Sequence, residues 1–403
     1  MNRELRTKKG VLDLNPCSII IEPMNKRSFI TTIKHRLSSL VLLLLAGAIS
    51  ASQNPGAVFL MIWPGARPTS LAGAFTAISN DASSVYYNPG GLAFLERTNA
   101  TLMHCNWLPG LWPGMYYEYL AVTHNLKDQG TLGLNVIYLT TGETDVINDR
   151  GEFLGRYTTF DVAPTLGYGF PVLSNLGVGI SAKLIYSFLV PDWVWRAMPE
   201  LGIEKGGTGI TWAFDAGVLY KPFPYLNAGV AITNIGPNIS YTSSGESDPL
   251  PRMLRLGLAY YPVQKEIFRL GITPEINKII VGMFSDTLKS FSQQFSEEWR
   301  DAWKSLGLEG ELNLGEVAGF ARLGYFEDIT GQRGGVVLEK DGLTYHYSLW
   351  DILTRQKLGS FKSLGWTFGG GIKFQRFQFD LGVDQFIYDF STSNYKFSFS
   401  YQF

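Results

Sequence analysis

The sequence predicts an all-β transmembrane protein, an antiparallel barrel of about 14 strands closed around an N-terminal plug. Three observations carry this. From Thr98 onward, apolar residues recur at every second position in segment after segment. The links between segments alternate short and long, as in barrels with short periplasmic turns and long outer loops. The last segment, with Tyr395, Phe397, Phe399, Tyr401 and Phe403 on one face, reads as a barrel-insertion signal.

The 403 residues carry a formal net charge of −1, so no basic excess points to nucleic acid. Charged residues make up only 17%, against 44 glycines and 14% aromatics, a balance that suits many twisted strands joined by tight turns. Lys26, Arg27, Lys34 and Arg36 precede the apolar run Leu37–Ala48, and small residues follow at Ser50, Ala51 and Ser52. This reads as a secretory signal peptide, because the run falls far short of the roughly 20 residues a spanning helix needs. Residues 1–52 are therefore expected to be a leader, with Met24 as the alternative start. Export together with a barrel of spanning strands implies a Gram-negative outer membrane as the destination.

Residues 53–97 do not alternate and are expected to form the plug. Ala66–Ile78 is rich in small residues and predicts a short helix, and Asn88-Pro89-Gly90-Gly91 is a turn signal. Asp81, Asn88, Pro89, Gly90 and Gly91 are the expected plug residues.

Residues 98–403 are expected to be the barrel. In the segment after Gly177, Val178, Ile180, Ala182, Leu184 and Tyr186 share a face while Ser181 and Lys183 oppose them; Trp212, Phe214, Ala216, Val218 and Tyr220 likewise face away from Asp215. Most segments have the roughly 9–11 residues that a tilted strand needs to cross a bilayer. Asp215, Asp380 and Asp384 then face a polar lumen. Thr141–Arg156, Val190–Thr208, Gly236–Pro251 and Asn277–Leu306 read as long loops. Gly335–Lys340 and Leu343–Trp350 flank Asp341-Gly342, a tight-turn pair. They fit either two further strands of a 16-strand barrel or a hairpin inside an outer insertion at 327–364, and we adopt the second. In the insertion at 284–306, Phe284, Leu288, Phe291, Phe295, Trp299 and Trp303 form a helical stripe, giving a helix of roughly 30 Å at 1.5 Å per residue.

The plug ending Asn88-Pro89-Gly90-Gly91-Leu92 resembles that of FadL-like outer-membrane barrels. Trp107-Leu108-Pro109-Gly110-Leu111, Ala231-Ile232-Thr233-Asn234-Ile235-Gly236-Pro237, Leu250-Pro251-Arg252-Met253 and Phe368-Gly369-Gly370-Gly371 follow in an order that resembles the PorV/PorQ family of such barrels. That resemblance implies a role in type IX secretion. The barrel would bind the C-terminal signal domains of secreted proteins at its outer loops. It would receive them from a large translocon barrel and present them to a surface peptidase or attachment complex. Trp107, Trp112, Trp193, Trp195, Trp299 and Trp303 are the expected partner-contact residues, and outer-membrane lipid is the surrounding partner. The rival reading is a FadL-like transporter of hydrophobic small molecules. It needs an apolar pocket between plug and wall.

Nothing in the sequence points to an enzyme, a metal or a cofactor. His104, His124 and His346 lie in alternating segments, with no second ligand at metal spacing. The paired glycines at 167/169 and 177/179 lie in or beside strands, not at a strand-to-helix turn, so they are not nucleotide loops.

Overall fold

A computed structural model describes residues 55–198, 202, 205–242, 246–354, 358–384 and 392–403. The leader and its cleavage region lie outside the described residues, as does Pro199.

The first strands are β1 (Asn99–Asn106), β2 (Tyr116–Asn125), β3 (Thr131–Ile147), β4 (Phe153–Leu173), β5 (Leu176–Phe188) and β6 (Thr208–Phe223). Then come β7 (Leu226–Ile235), β8 (Met253–Gln264), β9 (Phe268–Ile279), β10 (Trp303–Asn313) and β11 (Val317–Asp328). Four short strands follow, β12 (Arg333–Gly334), β13 (Val336–Lys340), β14 (Leu343–Tyr347) and β15 (Ser360–Leu364). The chain ends on β16 (Trp366–Phe374), β17 (Phe377–Asp384) and β18 (Asn394–Gln402).

Fourteen of these, β1 to β11 and β16 to β18, close into an antiparallel barrel. Neighbours in sequence pair, β11 pairs with β16, and β18 pairs with β1 to complete the ring. Closure removes the edges of the membrane-spanning sheet, which a bilayer demands because it offers backbone groups no water. The four short strands lie outside the ring. The two-residue β12 extends the pairing of β11, while β13, β14 and β15 form a separate three-stranded sheet. The Asp341-Gly342 hairpin is therefore an outer-loop feature and the count is 14. Asp341 and Gly342 both have positive φ, 53° and 75°, as a type I′ turn requires.

The alternation sorts the wall as the sequence implied. Ile180, Leu184, Ile210, Trp212 and Phe214 point outward and are exposed, while Ser181, Lys183, Thr211 and Asp215 point inward and are buried. Tyr138, Phe160 and Tyr186 stack side by side across β3, β4 and β5, an aromatic belt of the kind found at a membrane interface. The exposed apolar exterior is the lipid-facing surface of a transmembrane barrel.

Three elements differ from expectation. The helix expected over Ala66–Ile78 is only Ala66–Ser70. Ala72 and Gly73 both take positive φ, and a Cβ on Gly73 would lie 2.5 Å from the Trp63 indole. The chain must bend here to fit beneath that ring. Thr141–Arg156 is mostly strand, since β3 and β4 continue past the bilayer to a tight turn at 148–152. Arg156 pairs there with Asp145 at 2.6 Å and Glu143 at 2.9 Å, and its hydrogen bond holds the Asp145 carboxyl below the usual range. The long helix shrinks to Phe291–Asp301, started by a capping box of Ser290 and Gln293. Ala302 is extended, and Trp303 opens β10 with its ring buried against Phe326.

Candidate functional site: the plugged lumen and the loop face

Residues 57–95 fill the barrel interior and are almost wholly buried. Two features seat them: a polar seam of bonds to the wall, and a set of inward-facing glycines that lets the plug backbone approach.

The bonds run around much of the ring. Tyr117 of β2 donates to the carbonyl of Ile62 (2.9 Å) and Asn227 of β7 to that of Ala77 (3.2 Å). Glu275 of β9 accepts from both the amide (2.8 Å) and the hydroxyl (2.9 Å) of Thr76. The Thr367 hydroxyl of β16 accepts from the Ala72 amide and donates to the Ser70 carbonyl, each at 3.0 Å. On β18, Ser398 accepts from the Ala66 amide (2.9 Å) and Lys396 donates to the Trp63 carbonyl (2.7 Å). A buried polar group without a partner costs about 1–3 kcal/mol, so each bond fixes the plug against a specific strand.

Asn88 is the centre of this seating. Its amide donates to the carbonyls of Thr76 (2.8 Å) and Val218 on β6 (3.0 Å), while its oxygen accepts from the Gly90 amide (3.0 Å) and starts the 3-10 turn Pro89–Phe94. Glycines make the room. A Cβ on Gly217 would lie 2.1 Å from the Asn88 oxygen, and one on Gly179 would lie 2.1 Å from the Pro89 carbonyl oxygen. Gly90 and Gly91 obey the same constraint from the plug side, where an added Cβ would strike the Gly217 carbonyl at 2.7 Å and Ser79 Oγ at 1.3 Å.

An ion network crosses the short-turn half of the lumen. Arg67 of the plug binds Asp81 (3.1 Å) and grips both Glu309 oxygens (2.8 Å each). Glu309 also accepts from Arg322 (2.7 Å), which reaches on to Asp380 (2.7 Å). Two separate wall pairs, Lys183–Asp215 at 3.0 Å and Lys396–Asp384 at 2.9 Å, neutralise the lumen carboxylates of Asp215 and Asp384. Asp215, Asp380 and Asp384 thus do face the lumen, but a packed lumen. What remains beside the network is a cavity of about 180 Å³ lined by charged groups such as Arg67, Asp81, Arg269, Glu311 and Asp380. Among the described residues, the space beside this network is thus lined by ion pairs and polar groups, not by an apolar pocket of the kind a hydrophobic solute needs.

On the long-loop face the tryptophans divide. Trp107 and Trp303, expected as contact residues, are 6% and 5% exposed. Both are wedged into the wall, Trp107 beside Tyr117 and Trp303 beside Phe326, because each stands at a strand end with its ring turned inward. Trp193 packs edge-on against Tyr157 and Trp195 donates to the Gly206 carbonyl, so the short helix Asp192–Ala197 leans on its neighbours. Trp112 and Trp299 are exposed, at 55% and 53%. The sequence reading counts the insertion at 327–364 among the contact loops without singling out Trp350, Leu353 and Phe361, which are more exposed still and lie in that insertion. Tyr395 and Phe397 point outward on β18, the strand that closes the ring against β1, and Phe403 just past its end is exposed as well.

Residues 50–186, which take in the plug and nearly all of β1 to β5, match the model of an uncharacterised protein family, UPF0164. A UPF0164 protein of Treponema pallidum (strain Nichols) is 25% identical over 247 residues, covering 58% of this chain and 55% of the relative. The chain thus spans about half the length of that curated relative. Among solved structures, it is similar to the Pseudomonas putida toluene transporter TodX (12% identity, TM-score 0.44, 83% of this chain and 97% of that one). It is also similar to a Pseudomonas aeruginosa FadL homologue (12% identity, TM-score 0.44, 85% and 99%).

Proposed function

We propose that this barrel is an outer-membrane interaction protein that works at its long-loop face with its lumen shut. The observation that carries the reading is the plug, bonded to strands around the ring and seated on glycines that leave it no slack. A channel role would require breaking many of those bonds at once. Large apolar side chains meanwhile stand exposed on the loops, at Trp112, Trp350, Leu353 and Phe361, where aromatic residues favour contact with a protein. The motif order of the PorV/PorQ family supports the finer assignment. In it, the loops hold the C-terminal domains of secreted proteins arriving from the translocon barrel and pass them to a surface peptidase or attachment complex.

A photo-crosslinking amino acid at Trp350 in native outer membranes tests this reading. Secreted proteins captured through their C-terminal domains, together with a very large barrel, are the expected products. Recovery of the barrel alone, with lipid-like small molecules bound, would overturn it in favour of hydrophobic-solute transport. Substituting Trp350 and Phe361 together by serine is expected to cut cargo capture at least tenfold, at roughly 1.4 kcal/mol per decade, and to leave barrel stability unchanged.

A further inference from the structure

The helix Phe291–Asp301 is mounted with its polar side toward the barrel. Its partly buried residues are Gln294, Glu297, Glu298 and Asp301. Its apolar residues are the exposed ones: Phe291 at 70%, Phe295 at 55% and Trp299 at 53%, extended by Leu288 at 95% in the preceding turn. Phe284 and Phe291 stack with ring centroids 5.4 Å apart, which continues the stripe. A helix on a water-soluble core shows the opposite arrangement, with the apolar stripe inward.

What holds the polar side identifies the level at which the helix lies. Glu298 pairs with Lys278 of β9. Glu275 and Asn277 of β9 are buried facing the lumen, so Lys278 stands on the lipid side of the wall. Lys304 of β10 also points outward, between the buried Trp303 and Ser305, and its ammonium lies 5.8 Å from the centre of the Trp299 ring. Asp301 accepts from Thr330 (2.6 Å), which ties the end of the helix to the next loop. The helix thus stands at the rim with its polar side over a cavity that it shares with Val58 and Met61 of the plug, and its exposed apolar side turned away from that cavity, beside two lysines at the ends of spanning strands. Both lysines are held by carboxylates at the end of the apolar belt, Lys278 by Glu298 and Lys304 by Glu327 (3.6 Å). Below Lys304 the outward face of β10 continues with Leu306, 36% exposed and part of the lipid-facing belt.

We propose that Leu288–Asp301 is an interfacial membrane anchor, with Leu288, Phe291, Phe295 and Trp299 inserted among the lipids of the outer leaflet. The occupant of this apolar face is a lipid surface, continuous with the belt that the barrel already presents. Helices of this type sink their apolar side roughly 5–10 Å into the headgroup boundary. The anchor fixes the β9–β10 loop beside the bilayer and takes Trp299 out of the protein-contact surface. The inference is independent of the cargo reading.

The test uses the full-length barrel reconstituted alone into phosphatidylcholine vesicles, with a fluorophore on a cysteine at Leu288→Cys. A second label at Arg300→Cys, on the other side of the helix, is the internal control. The native Cys105 is buried. The expected result is strong quenching of the 288 probe by lipids doxyl-labelled near the headgroup, with iodide quenching at least threefold weaker than at 300. Equal iodide quenching at both positions, with no effect of the doxyl lipids at 288, would overturn the proposal and leave the face open to a protein. Both labels sit at exposed sites, and heat-modifiable gel mobility checks that each variant has folded.

Discussion

Replacing Gly179 by leucine is expected to drive the plug from its seat. The new Cβ would lie 2.1 Å from the Pro89 carbonyl oxygen and 2.3 Å from its carbon. Both are backbone atoms, and no rotamer relieves the contact. Overpacking a core costs about 1–3 kcal/mol where side chains can shift, and here the cost lies at or above the top of that range. The Asn88 bonds to Thr76 and Val218 lie directly beside the clash and are lost with it. A variant that folds at all is expected to be cleaved by chymotrypsin within residues 57–97, at Phe75, Tyr86 or Tyr87, which the parent keeps buried, and to conduct ions in a planar bilayer. The parent barrel stays silent under the same conditions. Unchanged protease resistance and silence in the variant would mean that the plug has slack that the geometry denies. The matched control is Ile180→Leu. That neighbouring side chain stands on the outer face, exposed to lipid, and its substitution is expected to be neutral.

Arg322→Met is expected to destabilise the barrel by about 3–5 kcal/mol, the usual cost of leaving buried charges without their partner. Arg322 has a fully buried side chain and binds Glu309 and Asp380 at once. Its loss leaves Glu309 to Arg67 and takes from Asp380 its bonded cation, with the Gln378 amide still donating to it. Because the network is shielded from solvent, added salt should not rescue the variant, whereas it weakens exposed pairs. Adding Asp380→Asn and Glu309→Gln is expected to recover much of the loss, since neutral groups are far cheaper to bury than unpaired charges. Urea midpoints in detergent micelles measure all of these variants. An Arg322→Met midpoint within error of the parent would show that the network adds little to the joining of plug and wall.

The barrel was legible because its signal is local. Each strand announces its two faces through its own alternation, and Asp341-Gly342 specifies its hairpin in two residues. Partners distant in sequence were not legible: Arg67 meets Glu309, and Ser70 meets Thr367, with nothing in one sequence to pair them. The glycines at 179, 217 and 229 stood in plain view, but their meaning depends on plug backbone that touches them from another part of the chain. The small-residue run Ala66–Ile78 looked helical because small residues favour helix, yet here they are small so that a bent chain can fit under Trp63. The aromatic stripe through Trp303 kept helical spacing past the true end of the helix. Spacing cannot tell a lipid-facing turn of helix from the first inward residue of a strand.

The most direct test of a lumen that stays shut during function is a disulfide between plug and wall. Thr76 Cβ lies 3.2 Å from where a Cβ on Gly257 would stand, close to the roughly 3.5–4.5 Å that a disulfide spans. The Thr76→Cys, Gly257→Cys variant can therefore be locked by oxidation and released by reductant. If the barrel works at its loop face with a fixed plug, the locked form captures secreted proteins in native membranes as well as the reduced form does. If oxidation abolishes activity and reductant restores it, the plug must move, and the barrel is a gated transporter.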